Sequence, residues 1–338
     1  MELRLRDEQV ALSESYDKLL EKAATTERLR GIGQAGFDPE LWATFCRMGA
    51  PGIAVAESDG GDGAGLAEAA VICEQVGRHI AAVPFVDVCV AARLLAESGS
   101  TFLGDVLSGS LRATIALRPA IDGEWRFVPS GSIAELVVGL DGDELVAVRT
   151  DSDVEPLPNL ADLPLCHRST TGEHEVLATG VAATTLHGQA VDEWRTLAAA
   201  TLVGIAAGAL QIGVAYTKER TQFGVPLATF QTIAHGLADC HTVVEGARVI
   251  AQKAAWALDT DNDPSGALAA MAFYFAAQSA ERVAGQSLHY HGGYGFMLEY
   301  DIQLYYRRAK AWSLVHGDRE RLLDTLADQL FGTPATEV

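Results

Sequence analysis

From Trp194 to Tyr216 the chain carries no proline and is built largely of Ala, Leu, Val and Ile, the composition of a buried helix. A second helical pattern follows. Phe230, Ile233, Leu237, Val244 and Ala247 recur at three, four, seven and three residues, a stripe running towards Asp259. Between the two, Phe223-Gly224-Val225-Pro226 breaks the pattern, because Gly frees the backbone and Pro226 disfavours helix at the residue before it. The expectation is two long helices joined by a rigid corner. That corner displays Arg220, Phe223 and Gln231: a guanidinium able to grip a phosphate bidentately, an aromatic ring, and an amide that donates and accepts. An ordinary helix turn with a surface arginine has the same spacing, so spacing alone leaves both readings open.

The rest of the 338 residues can bury a large core, and 49% apolar with 21% charged residues describes a globular chain. Its longest apolar stretches are interrupted by polar groups, so no membrane span is expected. Met1 to Asp7 has no apolar signal region, and the odd set Cys46, Cys73, Cys89, Cys166 and Cys240 has no Cys-x-x-Cys pair, which suits reduced thiols and a cytoplasmic location. The net charge of −20 disfavours nucleic acid and anionic membranes. Any anionic cofactor would need local cations, for which Arg220 and the Arg307-Arg308-Lys310 cluster are candidates; a solvated helix face is the competing reading for each.

Three stretches follow from pattern and punctuation. Residues 1–108 read as a helical domain: Asp38-Pro39-Glu40 starts a helix that ends at Gly49, and helices run from about Leu66 to Arg78, Phe85 to Glu97 and Thr101 to Leu107. Residues 109–186 read as a small β-domain. Short apolar runs at Arg112–Leu117, Trp125–Val128, Leu136–Leu140 and Glu144–Val148 are separated by turn residues, with Asp141-Gly142-Asp143 closing a hairpin and further strands between Thr170 and Leu186. Residues 187–338 read as a helical bundle, in which Asp263-Pro264 starts a helix with Leu268, Met271, Ala272 and Phe275 at core spacing. The fold class is mainly α with a small β-domain. His289 and His291 are two apart and make a poor metal pair, and Glu57 to Gly63 lacks the spacing of a calcium loop, so no metal site is expected.

Arg220-Thr221-Gln222-Phe223-Gly224 with Phe230-Gln231 resembles the Arg-x-x-Phe-Gly…Phe-Gln signature of the acyl-CoA dehydrogenase family. Gly292-Gly293-Tyr294-Gly295-Phe296, Glu299-Tyr300 and Arg307-Arg308-Ala309-Lys310 match the opening of that family's last helices, and Gly52 to Gly63 with Glu74 to Arg78 matches its N-terminal region. The resemblance implies a helical N-terminal domain, a β-domain and a C-terminal four-helix bundle. It also implies that Arg220, Phe223, Gln231, Gly292 and Gly293 serve the FAD of a neighbouring chain, with His289 standing where the family has a glutamine.

The middle of the chain departs from the pattern. Ile115-Ala116-Leu117-Arg118-Pro119 passes into Asp122-Gly123-Glu124 without the family's Thr-Glu-Pro segment or Gly-Ser-Asp turn, which hold the flavin ring. Desaturating an acyl-CoA needs a carboxylate at the α-carbon while hydride leaves the β-carbon for the flavin. His316, followed by Gly317, stands at the family's usual glutamate, and Trp194 at the position a minority uses; Asp318-Arg319-Glu320 replaces residues that bind the chain's own FAD. No catalytic residue is therefore assigned. The chain resembles the short, base-less subunits of actinobacterial heteromeric, α2β2 steroid-side-chain acyl-CoA dehydrogenases. That likeness implies a full-length partner that carries the glutamate and holds most of a shared FAD, an acyl-CoA substrate, and inactivity alone. A self-sufficient dehydrogenase or flavin monooxygenase, with His316 as an unusual base or with no base at all, and a purely structural helical partner, are the alternatives.

Overall fold

The computed structural model describes residues 4–152, 154–260, 265–317 and 319–332. In chain order, the helices α1 (Asp7–Ala23), α2 (Thr26–Ile32), α3 (Pro39–Arg47), α4 (Leu66–Arg78), α5 (Phe85–Glu97) and α6 (Leu103–Leu107) come first. Strands β1 (Ala113–Ile115), β2 (Glu124–Val128), β3 (Leu136–Asp141), β4 (Glu144–Arg149), β5 (Cys166–Ser169) and β6 (His174–Thr179) follow. The chain continues through α7 (Gly180–Glu219), the two-residue strands β7 (Thr221–Gln222) and β8 (Val225–Pro226), α8 (Gln231–Asp259), α9 (Ser265–Tyr290), α10 (Ile302–Val315) and α11 (Arg319–Phe331). These elements form two compact units, Glu21–Ala69 with Ala82–Trp194, and Met1–Leu20 with Ala70–Ala81 and Arg195–Val338.

The first of these units holds all six strands of the β region. Asp38 caps α3 as its sequence predicts, accepting from the Leu41 amide at 3.0 Å with Pro39 at the first position. The expected hairpin is β3–β4, with Leu140 opposite Leu145 and Asp141 opposite Glu144; Gly142 takes the left-handed conformation of the turn. Parallel β1 and antiparallel β6 complete a sheet of order β1-β3-β4-β6, while β2 pairs antiparallel with β5. Fully buried Trp125 of β2 packs in a cluster with Ala116, Val128, Ala134, Val137, Val146 and Val148, and its indole N–H donates to the Leu140 carbonyl at 2.8 Å. Several boundaries differ from expectation. Strand β1 is only Ala113–Ile115, α6 starts at Leu103, β5 lies at Cys166–Ser169 ahead of the expected range, and helix α7 begins at Gly180, so Val181 to Leu186, with three β-branched residues, is helical.

In the other unit, the second part of α7 packs with α4 and the bundle of α8, α9 and α10. Helices α4 and α7 approach so closely that a Cβ on Gly77 would lie 1.9 Å from the Thr201 carbonyl oxygen, and one on Gly204 would lie 1.9 Å from that of Glu74. Glycine is the only residue either position admits. The buried face of α9 is made of Ala269, Ala272, Phe273, Ala276, Ala280 and Val283; Leu268, Met271 and Phe275, expected in the core with Ala272, are half-buried. Small residues win the buried face because they let the helix axes come close. The Asp263-Pro264 helix start lies outside the described residues. Helix α7 also corrects the expectation that nothing reads as a membrane span: it is long and apolar enough to cross one, and 72% of its most apolar 18-residue window is buried inside the protein.

Candidate functional site

The corner is a miniature hairpin. Thr221 pairs with Pro226 and Gln222 with Val225, leaving Phe223 and Gly224 as the turn. Both turn residues have positive φ, 55° and 82°, the conformation of a two-residue hairpin loop that Gly or Asn normally occupies. Holding Phe223 there costs about 1–2 kcal/mol, yet the residue is 93% exposed and, among the described residues, its ring meets the edge of Phe230, 6.2 Å away. Phe223 thus combines a strained backbone with an apolar ring held in solvent.

Arg220 stands at the base of the turn. Its amide donates to the Tyr216 carbonyl and its carbonyl accepts from the Leu227 amide, each at 2.8 Å, so the backbone is fixed on both sides. The guanidinium lies over the Tyr294 ring, 5.8 Å from its centroid, and among the described residues no carboxylate pairs with it. Arg28, Arg93, Arg112, Arg248 and Arg319 all have acid partners. In a chain of net charge −20, Arg220 thus has an aromatic neighbour rather than a carboxylate among the described residues.

Other expected groups are on the same unit. Gln231 opens α8 and is exposed, as is His289 near the end of α9. Gly292 begins a 3-10 turn with φ 61°, and a Cβ at Gly293 would meet nothing within 4 Å. The chain's own packing does not demand glycine at 293, and the backbone there is open to approach. Around them Tyr294, Phe296, Met297 and Leu298 are exposed, Phe296 by 70%. Adenosine and pyrophosphate suit this set: the rings of Phe223 and Phe230, an amide, open backbone and one guanidinium with no acid partner among the described residues. The residues present therefore fit the outer end of an FAD.

The positions of the family's base have other occupations. His316 caps the end of α10, and its Nε2 accepts from Arg195 Nε at 3.2 Å, which ties up the lone pair a base would use. Trp194 is fully buried and donates from Nε1 to Asp87 Oδ1 at 2.8 Å; Ser130 Oγ donates to the other oxygen, Oδ2. Glu193 grips Arg93, with Oε1 accepting at 2.8 and 3.0 Å. The expected cationic cluster is also dispersed: Lys310 is bound to Glu281 at 2.6 Å and Arg308 is buried, so these residues do not present a joint anion site. Arg319 likewise turns to Glu281, at 3.2 Å, while Asp318 lies outside the described residues. Burial opposes the Glu281 charge, but Lys310, Ser313 and Arg319 more than offset it and hold the carboxyl below its ordinary range.

Residues 6–103 match the acyl-CoA dehydrogenase N-terminal domain and residues 184–331 the acyl-CoA dehydrogenase C-terminal domain. The chain is 31% identical to acyl-CoA dehydrogenase IpdE2 of Mycolicibacterium smegmatis, over 97% of this chain and 100% of that one. This chain belongs to the acyl-CoA dehydrogenase family. Among solved structures, a variant of the Tcur3481–Tcur3483 steroid ACAD superposes with a TM-score of 0.84 at 31% identity, covering 96% of this chain and 98% of that one. The ChsE4–ChsE5 complex from Mycobacterium tuberculosis gives 0.87 at 25% identity, covering 99% and 100%. As an acyl-CoA dehydrogenase, the chain belongs to the FAD-dependent oxidoreductases, and its fold is the family's mainly helical one with a small β region. Sequence reading of this acyl-CoA dehydrogenase missed Tyr294 as the floor beneath Arg220 and Asp87 as the partner of Trp194. The Gly-Gly-Tyr-Gly motif was a signal for the first; nothing local signals the second, 107 residues away.

Proposed function

We propose that this chain is the short subunit of a heteromeric FAD-dependent acyl-CoA dehydrogenase, in which it closes the adenosine and pyrophosphate end of a flavin held by a full-length partner. The observation that carries the reading is the corner itself: an acid-free Arg220 beside a strained, exposed Phe223. In this role Arg220 binds a phosphate oxygen, Phe223 and Phe230 cover the adenosine, and Gln231, His289 and the Gly292-Gly293 backbone supply hydrogen bonds at the rim. FAD, when bound, supplies hydride acceptance at the β-carbon; the α-proton is taken by the partner's glutamate. This chain supplies no base, since Arg195 engages His316 and Trp194 is locked against Asp87. The Tcur3481–Tcur3483 and ChsE4–ChsE5 likenesses favour a two-component assembly, and the former favours a bulky steroid-side-chain CoA thioester as substrate.

Co-expression with a full-length acyl-CoA dehydrogenase subunit from the same source, followed by flavin quantitation, tests the reading. One FAD per two chains in an α2β2 complex is expected. Arg220→Ala should weaken FAD retention by about 1.5–3 kcal/mol, the worth of a charge-assisted contact. A purified chain that alone bound stoichiometric FAD and reduced it with acyl-CoA would refute the proposal.

A further inference from the structure

Beneath Arg220 a run of ring contacts continues beyond Tyr294. Tyr294, under the guanidinium, stacks on Tyr300 with centroids 5.4 Å apart and planes 29° apart. Tyr300 meets the edge of His291 at 6.3 Å and 78°, and His291 stacks on Tyr216 at 3.9 Å and 19°. Tyr216 is the residue whose carbonyl receives the Arg220 amide, so the stack closes back on the helix turn that carries the arginine. His291 is buried, and its Nδ1–H donates to the Ser287 carbonyl at 2.7 Å. Burial outweighs that hydrogen bond and lowers its pKa, which favours the neutral imidazole.

We infer that Tyr294, backed by Tyr300, His291 and Tyr216, is a positioning residue that holds the Arg220 guanidinium in place for a cofactor phosphate before the phosphate arrives. The inference rests on the shared-flavin reading above and adds to it the device that pre-sets the grip. An arginine side chain has large rotamer freedom, which binding must remove; a guanidinium already lying on an aromatic face has lost most of it. The same contact keeps the cation from folding onto one of the many carboxylates of so acidic a chain. Because Tyr294 touches the guanidinium and is itself partly exposed, its ring can be removed without opening the core.

The test uses the co-expressed heteromeric complex, with FAD as the probe, and measures FAD dissociation by the recovery of free-flavin fluorescence. Tyr294→Leu should weaken FAD binding about two- to five-fold, the range of an exposed cation–π contact. Tyr294→Phe, which keeps the ring, should restore it to near the wild-type value. In an Arg220→Ala background, Tyr294→Leu should cause no further loss, since its only action is through the arginine. Full additivity in that double variant, or an unchanged dissociation rate in Tyr294→Leu while Arg220→Ala still weakens binding, would overturn the inference and leave the shared-flavin reading standing. An ineffective Arg220→Ala would instead overturn that reading. Should Tyr294→Leu fail to assemble, Tyr294→Trp decides: equal or slower dissociation is expected from the better cation–π face, and faster dissociation counts against the stack.

Discussion

Asp87 offers the sharpest test of how this fold is held together, because it is a carboxyl of α5 with only 3% of its surface exposed. It accepts from the Trp194 indole at Oδ1 and from the Ser130 hydroxyl at Oδ2, and among the described residues no cation neutralises it. Burial pushes its pKa up from 3.8 to about 6, more than the hydrogen bonds from Ser130 and Trp194 pull it down. The folded carboxyl therefore binds its proton more tightly than the unfolded one. Its contribution to stability is fully present below the unfolded value and is lost as pH rises through about 6. Such a displacement corresponds to about 3 kcal/mol in all, roughly half of it lost between pH 5 and pH 8. Asp87→Asn keeps an oxygen to accept from the indole and offers its amide N–H to Ser130, but it cannot ionise. Urea unfolding of both proteins at pH 5 and pH 8 isolates the group, since every other titration is common to the two. The wild type should lose about 1.5 kcal/mol more than the variant between those pH values. Identical pH dependence in the two proteins would refute the argument that the buried carboxylate is under-compensated.

Other perturbations probe different contacts. Gly204→Ala should destabilise the chain by about 1–3 kcal/mol, read by thermal unfolding, because the added methyl meets the α4 backbone rather than a movable side chain. Glu281→Ala strands Lys310 and Arg319 and removes the acceptor of Ser313, for a loss of about 2 kcal/mol in urea. Glu281→Gln should recover part of it by accepting from Ser313, and equal losses in the two variants would count against a role for the charge.

Much of the scaffold was legible because its signals are local. Leu66–Arg78 and Phe85–Glu97 are helices at the expected residues, and the Asp141-Gly142-Asp143 turn closes the expected hairpin. The start of α7 was not legible: Val181, Thr184 and Thr185 have strand preferences, and continuation into a long buried helix overrides them. In α9 the periodicity was right but the face was displaced, since Leu268, Met271 and Phe275 announce hydrophobicity more loudly than the alanines that pack. The corner was legible as a break carrying Arg220 and Phe223, whereas the cluster at Arg307, Arg308 and Lys310 looked like a phosphate site only because Glu281 was unseen.

By itself, then, the sequence determined the helical frame, the family and the residues offered at the corner, because periodicity, turn chemistry and motif spacing act over a few tens of residues. The tertiary structure alone decided which charges are free. Arg220 lies over the ring of Tyr294, 74 positions later; His316 is engaged because Arg195 reaches it across 121 positions; and Asp87 resists ionisation because α7 and the β region exclude water from it. Whether a charge is free, paired or suppressed depends on its neighbours in space and on the water they displace, and neither is written in the order of the residues around it.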